Sequence, residues 1–323
     1  MLPFDSWDVN CYSGTTEQCR LEAFFGPAAS VFNSCQAGIT AILEVLGSRT
    51  HDIPVVLPIT APTDTVSAVL RAGGNPILLD INPTTLQLEP SLLKEVIDTL
   101  KAVVVVFDRP CGAPVDQELL SLTQDFPTII DTRLPPQLNS EEACVGTFTV
   151  FDFGPVVGTG SLVIHKYSDQ VHELRLVRSG LLGLSANMNE LICSLAHKRL
   201  KEHPDLAERK QHQNSIFAKY ASLLAGKKEI VLADSKEKPY CAVRVQNANR
   251  AIAQLHGCRF TAIKPVFPLH TLPIMQRRWQ ETPEYPVAED LANRLVALPT
   301  HPGVSGKEEE IVSKLLDVDG AGQ

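Results

Sequence analysis

"VVLPITAPTDTVSAVLRAGGNPILLDINPTTLQLEPSLLKEVI" (residues 55–97) reads as strand, helix, strand, helix, and that order decides the fold. Ile53–Leu57 is a short apolar run closed by a Pro/Thr-rich turn, the mark of a buried strand. Residues 63–73 space Val66, Val69 and Leu70 for one helical face, with Thr63 or Asp64 as N-cap and Gly73 as terminator. The strand Pro76–Asp80 and the helix Glu89–Leu100 follow. Upstream, residues 36–47 predict a helix with a buried face that stops at Gly47.

Downstream the alternation continues. Residues 102–107 (AVVVVF) form an unbroken β-branched run, which suits a strand covered on both faces. A helix over Asp116–Asp125, a strand over Thr128–Asp131, and strands around Thr147–Phe153 and Ser161–His165 complete the series. Repeated βαβ units imply an α/β fold with a mostly parallel sheet, whose functional loops gather where strands end at their carboxyl edge. The segments after Leu57, Phe107, Ile130 and Phe153 are therefore the places to look for chemistry. A helical region over Asn187–Leu224, broken at Pro204, leads into a smaller α/β unit over Ile230–Leu316. The expected division is a large domain over 1–205 and a small one over 206–323. The tail DVDGAGQ is expected to fray.

Composition bounds the function. The chain has 323 residues, 44% hydrophobic and 20% charged, with a net charge of −8, which fits a folded protein with a substantial core. An acidic surplus argues against a nucleic-acid binder, and no apolar run is long enough to span a bilayer. The eight cysteines are scattered, without C-x-x-C pairs or cysteine–histidine clusters at zinc spacing. Reduced thiols in a cytoplasmic protein with no metal site are the expectation.

With the order of motifs in place, the chain resembles the DegT/DnrJ/EryC1/StrS aminotransferases, sugar aminotransferases of the fold-type-I pyridoxal phosphate (PLP) superfamily. Residues 55–97 resemble that family's strand, ring-stacking turn, helix and "DI-P-T" segment. "CGAPVDQELL" (111–120) is similar to its "YGQPADMD" turn, and "PTIIDTRLPP" (127–136) occupies the place of "PVIEDAAQA". "GLSANMNELICSLAHKRL" (183–200) resembles "GYNYRMDELQAAILLAQL", and residues 268–312 match most closely. The resemblance implies a fold-type-I large domain, a smaller C-terminal α/β domain and a homodimer.

The same resemblance shows what the site has exchanged. PLP transamination needs a lysine to tether the cofactor. The family's "FSFYPTKNLGALGDGG" aligns with "FDFGPVVGTGS" (151–161), which puts the lysine slot on Val156 or Val157. No lysine occurs between Lys101 and Lys166, so no small shift of alignment restores it. The stacking aromatic falls near Pro62, and the glutamine that contacts the ring hydroxyl falls on Leu134. The asparagine lent by a partner subunit falls on Ser185. The phosphate-binding serine falls on Asp152, where an ionised carboxylate would repel a phosphate by roughly 1–4 kcal/mol per charge pair.

Two cofactor-binding features persist. Asp131 takes the place of the aspartate that pairs with the pyridine nitrogen, and reads equally as an N-cap or as an ion-pair partner of Arg133. Ser34, Cys35 and Gln36 replace the phosphate-binding "SGT" at a helix start, which still offers free N–H groups to an anion. Gly158-Thr159-Gly160 lacks the spacing of a phosphate loop and reads as a tight strand connection. Asp64, Asp108, Arg109, Arg133, Asp152 and Ser185 are candidates to line a remodelled polar pocket.

These residues predict no catalytic group at the lysine slot and no bound cofactor, PLP entering by family analogy alone. Three functions remain open. The first is a non-transaminating binding or scaffold subunit for a ligand such as a nucleotide sugar, working beside an active aminotransferase paralogue in nucleotide-sugar, polysaccharide or secondary-metabolite biosynthesis. The second is a conventional PLP or pyridoxamine phosphate (PMP) aminotransferase. The third is a different enzyme that reuses the cleft through Asp131, Asp152, Arg133 and Cys35.

Overall fold

The β-branched runs of the sequence become the strands of one large sheet. The computed structural model describes residues 16–47, 53–100, 103–110, 113–133, 146–166, 171–180, 184–202, 205–232, 240–278 and 284–320. The first unit contains helix α1 (Thr16–Phe25), strand β1 (Ala29–Phe32), α2 (Cys35–Val45), β2 (Pro54–Pro58), α3 (Thr63–Arg71) and β3 (Asn75–Leu79). It continues through α4 (Pro90–Leu100), β4 (Val104–Asp108), α5 (Gln117–Leu122), β5 (Thr128–Asp131) and β6 (Phe148–Asp152). The one-turn helix α6 (Gly154–Val157), β7 (Ser161–His165), α7 (Val171–Arg178) and α8 (Glu190–Glu202) follow. Beyond them lie α9 (Asp205–Leu224), β8 (Ile230–Val231), β9 (Tyr240–Arg244), α10 (Ala248–Gly257), α11 (Pro273–Arg278), α12 (Pro286–Arg294), β10 (Leu295–Pro299) and α13 (Glu308–Gly320).

The seven-stranded sheet runs in the order β1-β7-β6-β5-β4-β2-β3. From β3 to β6 the pairings are parallel, and β7 and β1 close the sheet antiparallel. Period-two alternation sorts the core. Val104, Val106, Ile129 and Val150 face the side covered by α2 and α3, while Val105, Phe107 and Ile130 face Leu93 of α4 and Leu119 of α5. The second sheet, β10-β9-β8, is antiparallel. Its Cys241, Val243, Val296 and Leu298 pack with Tyr220 of α9, Leu255 of α10 and Leu315 of α13. Asp80, just after β3, joins the two units by accepting the Val287 and Ala288 N–H groups that open α12, each at 2.9 Å.

Several local expectations change. Helix α3 begins after Pro62 without a side-chain cap, so neither Thr63 nor Asp64 serves as N-cap. Asp116 caps α5 instead of belonging to it, accepting the Glu118 N–H at 2.9 Å. The tail does not fray at Asp317. Helix α13 runs to Gly320, because Leu315 and Val318 bury against the second sheet. The break expected at Pro204 lies outside the described residues. No helix among the described residues is long and apolar enough to cross a membrane.

Candidate functional site

Three adjacent parallel strands end in aspartate. Asp108 closes β4, Asp131 closes β5 and Asp152 closes β6, and Asp108 pairs in register with Asp131. Each lies two residues beyond a valine or isoleucine of the α2/α3 face, so strand alternation brings all three carboxylates to that face at one edge. Carboxylates so close on a sheet edge repel one another, and the chain relieves that repulsion with one guanidinium.

Arg133 is that group. Its Nε donates to Asp131 Oδ2 at 3.0 Å and its Nη2 to the same oxygen at 2.9 Å. The other edge forms a two-pronged pair with Asp64 of α3, Nη1 to Oδ2 at 2.7 Å and Nη2 to Oδ1 at 2.8 Å. Thr65 closes the ring of contacts, accepting from Arg133 Nη2 at 2.6 Å and donating to Asp131 Oδ2 at 2.7 Å. A side chain only two residues past Asp131 turns back because Arg133 takes a left-handed backbone, φ +50°. Asp131 is 1% exposed at its side chain, and its Oδ1 has no hydrogen-bond partner among the described residues.

Electrostatics follow from burial and these partners. Burial pushes the Asp131 carboxyl above the usual carboxylate range, against the opposing charge and hydrogen bonds of Arg133. Burial works against the Arg133 charge too, but Asp131 and Asp64 outweigh it and keep the guanidinium ionised. Asp108, half-buried, is raised to about 7 by desolvation and then by the neighbouring Asp131 charge. Burial also pushes the Cys35 thiol up, so it sits in the site as a neutral group rather than a thiolate nucleophile.

The remaining candidates are divided. Ser34 caps α2, its Oγ accepting the Ala37 N–H at 3.2 Å, with buried Cys35 and half-buried Gln36 opening the helix. Asp152 turns onto its own chain and accepts the Gly154 N–H at 2.7 Å. A Cβ at residue 154 would meet Asp152 Oδ1 at 2.9 Å and make this carboxylate shift. Val156 and Val157 form α6, with Val156 buried. Gly158 (φ +87°) and Gly160 (φ +102°) make the turn into β7. Arg109 donates its Nε to Ala113 O at 2.9 Å within its own loop, and Ser185 is exposed beside Ser179. Neither joins the Arg133 cluster through a hydrogen bond or ion pair described here. Leu134 lies outside the described residues.

Sequence reasoning missed two participants. Thr65 carries no motif; only its place one turn into α3, facing the end of β5, gives it a role. Arg199 of α8 reaches the α6 turn from 43 residues away, its Nη1 donating to Val156 O at 2.6 Å. Its signal was its position on a helix that the spacing already predicted.

A mostly parallel sheet with its polar groups at the carboxyl edge, joined to a small antiparallel unit, is the architecture of the fold-type-I PLP-transferase class. The DegT/DnrJ/EryC1/StrS aminotransferase pattern matches residues 19–120 and 159–316, and the chain belongs to that family. The chain is 23% identical over 308 residues to the GDP-perosamine synthase of Escherichia coli O157:H7, covering 87% of this chain and 82% of that one. Among solved structures it superposes on the sugar aminotransferase Spr1654 of Streptococcus pneumoniae in its PMP form. The TM-score is 0.83 at 18% identity, covering 96% of this chain and 91% of that one. The PLP form of Spr1654 gives 0.79 at 18% identity, over 94% and 89%. Helicobacter pylori PseC, an aminotransferase of pseudoaminic acid biosynthesis, gives 0.82 at 15% identity, over 96% and 92%.

These neighbours correct the expectation that no cofactor belongs here: they include PLP and PMP forms, and the fold they share points to PLP. The residues present fit such a group in part. The orphaned Oδ1 of buried Asp131 suits the N–H of a protonated pyridine. The α2 N-terminus offers backbone N–H groups that suit a phosphate. The turn of Val156 and Val157 offers no amine for a tether. The family pattern is interrupted over 121–158, the segment that holds Asp131, Arg133, Asp152 and both valines.

Proposed function

We propose that this chain is a cytoplasmic, non-transaminating member of its family. It acts as a homodimeric ligand-binding or scaffold subunit for a nucleotide sugar, beside an active aminotransferase paralogue. In this reading the small domain begins near residue 206, and a cofactor bound in the large one is held by contacts alone. The observation that carries the reading is the pair Val156–Val157 at the lysine slot, with no lysine from 102 to 165. Lys166 does not substitute. Strand β7 doubles back along β6, and the Lys166 N–H bonds to Thr147 O at the opposite edge of the sheet from Asp152. At about 3.3 Å per residue, the five residues of β6 separate the two edges by roughly 15 Å.

Bound PLP or PMP would supply an electron-withdrawing ring. Asp131 would accept its N–H, and the start of α2 would face its phosphate. Cys35, neutral and buried, contributes shape rather than nucleophilicity. The chain's relatives and the retained Asp131 favour a second reading, a sugar aminotransferase that works on PLP or PMP without the usual tether.

The deciding experiment treats the purified chain with PLP and borohydride and measures its intact mass. A parallel assay supplies glutamate and a nucleotide keto-sugar. Unmodified mass and no amino transfer are expected, with a nucleotide sugar raising the melting temperature. A cofactor fixed to a lysine, or measurable amino transfer, overturns the proposal.

A further inference from the structure

We propose that Arg133 is a built-in competitor for the cofactor ring, setting how weakly this cleft holds a protonated pyridine by already bonding one oxygen, Oδ2, of the carboxylate such a ring would use. The inference rests on the reading that the cleft takes the cofactor without a tether. Five hydrogen bonds tie the guanidinium to Asp131, Asp64 and Thr65, from two elements that converge at the carboxyl edge. Charge-assisted pairs with two-pronged geometry are the strong ones, so the guanidinium is well anchored. The arrangement also places a fixed cation against Asp131, which is 1% exposed. A pyridinium approaching that carboxylate would meet a like charge in a desolvated space, where screening is weak.

The left-handed backbone at Arg133 supports a dedicated role. A β-region conformation would carry the side chain away from Asp131, so the strained φ is what folds the guanidinium back over its own strand end. Asp64 completes the device. It lies on α3 rather than on the sheet, and its two bonds hold the outer edge of the guanidinium so that Asp131 does not bear it alone. Arg133 is thus a specificity-determining residue: it admits neutral or anionic groups near Asp131 more readily than cationic ones.

The test measures PMP, which cannot form a Schiff base with lysine, by fluorescence titration of the purified full chain. Arg133→Ala and Arg133→Gln are each expected to bind PMP about 10- to 100-fold more tightly than wild type, because a like charge beside buried Asp131 is removed. Asp131→Asn added to either variant should cancel the gain, and inorganic phosphate should show none. The glutamine variant keeps a second donor for Asp131, so folding is preserved where alanine leaves the carboxylate with Thr65 alone. Affinity unchanged or weaker in both variants overturns the inference. A third measurement needs no variant. In wild-type crystals soaked with PMP, Arg133 is expected to have left Asp131 Oδ2; a bound ring on Asp131 with Arg133 still in place also overturns it. Borohydride trapping reports on the missing tether and PMP affinity on Arg133, so the two ideas fail separately.

Discussion

Two arginines in this protein, one fully buried and one half-buried, meet acidic partners differently. Arg178, at the end of α7, is completely buried. It pairs with Glu22 of α1, donates to Val31 O at 2.8 Å, and lies 5.9 Å from the centre of the Phe32 ring. Its Nε and Nη2 find no partner among the described residues, and burial holds its pKa below the usual value. Arg133 is 28% exposed at its side chain, has every nitrogen engaged, and is held above the usual value. Glu22 and Arg178 lie in the part of the chain that the family pattern matches; Arg133 lies in the interruption. The first pair is a structural charge of the packed interior, and the second sits at the polar edge of the sheet.

Three measurements sharpen that contrast. The largest effect is expected from Glu22→Gln, which strands the Arg178 charge in the core. Breaking a buried pair by removing one partner costs about 3–5 kcal/mol, read as a lower urea midpoint. A loss below about 1 kcal/mol would mean that Arg178 is not a scaffold charge in this sense. Arg133→Ala should cost less, about 2–3 kcal/mol near neutral pH, because its side chain reaches solvent and Thr65 still donates to Asp131. The loss should grow as pH rises from 5 to 8. A carboxyl whose folded-state pKa is raised favours folding while protonated, and that advantage disappears as it ionises. A pH-independent loss would show that Asp131 does not carry it.

Asp108→Asn gives the smallest change, and it runs in the opposite direction. Raised to about 7, the Asp108 carboxyl helps the folded state below the ordinary carboxylate pKa and costs progressively more as pH rises through 7. The amide removes that cost, so the variant should gain on wild type by about 1–2 kcal/mol between pH 5 and pH 8. Parallel pH profiles for variant and wild type would show that Asp108 is not perturbed.

The scaffold was far more legible in the sequence than the site. The run 102–107 announces a doubly covered strand by composition alone, and Gly47, at φ +82°, announces where α2 stops. These are local signals, decided within one or two turns of chain. Asp64 shows where such reading stops. At a helix start it has the look of an N-cap, yet its partner is Arg133, 69 residues away, and no spacing rule links them. The left-handed backbone at Arg133 had no glycine to advertise it. The tail misled for a related reason. Val318, a lone apolar residue among acids and glycines, looked insufficient until the second sheet supplied the surface it buries against.

The reversal of β7 constrains where this chain could place an amine near its aspartates. Lengthening that strand, or sliding Lys166 along it, only moves an ammonium group farther from the aspartates, since the chain there is heading toward the far side of the molecule. An amine close to them would have to arise inside the short α6 corner, at Val156 or Val157. A newcomer there would take up position beside Arg199, already bonded to the Val156 carbonyl. Placing an amine there is therefore a problem of two neighbouring positive charges in one tight corner.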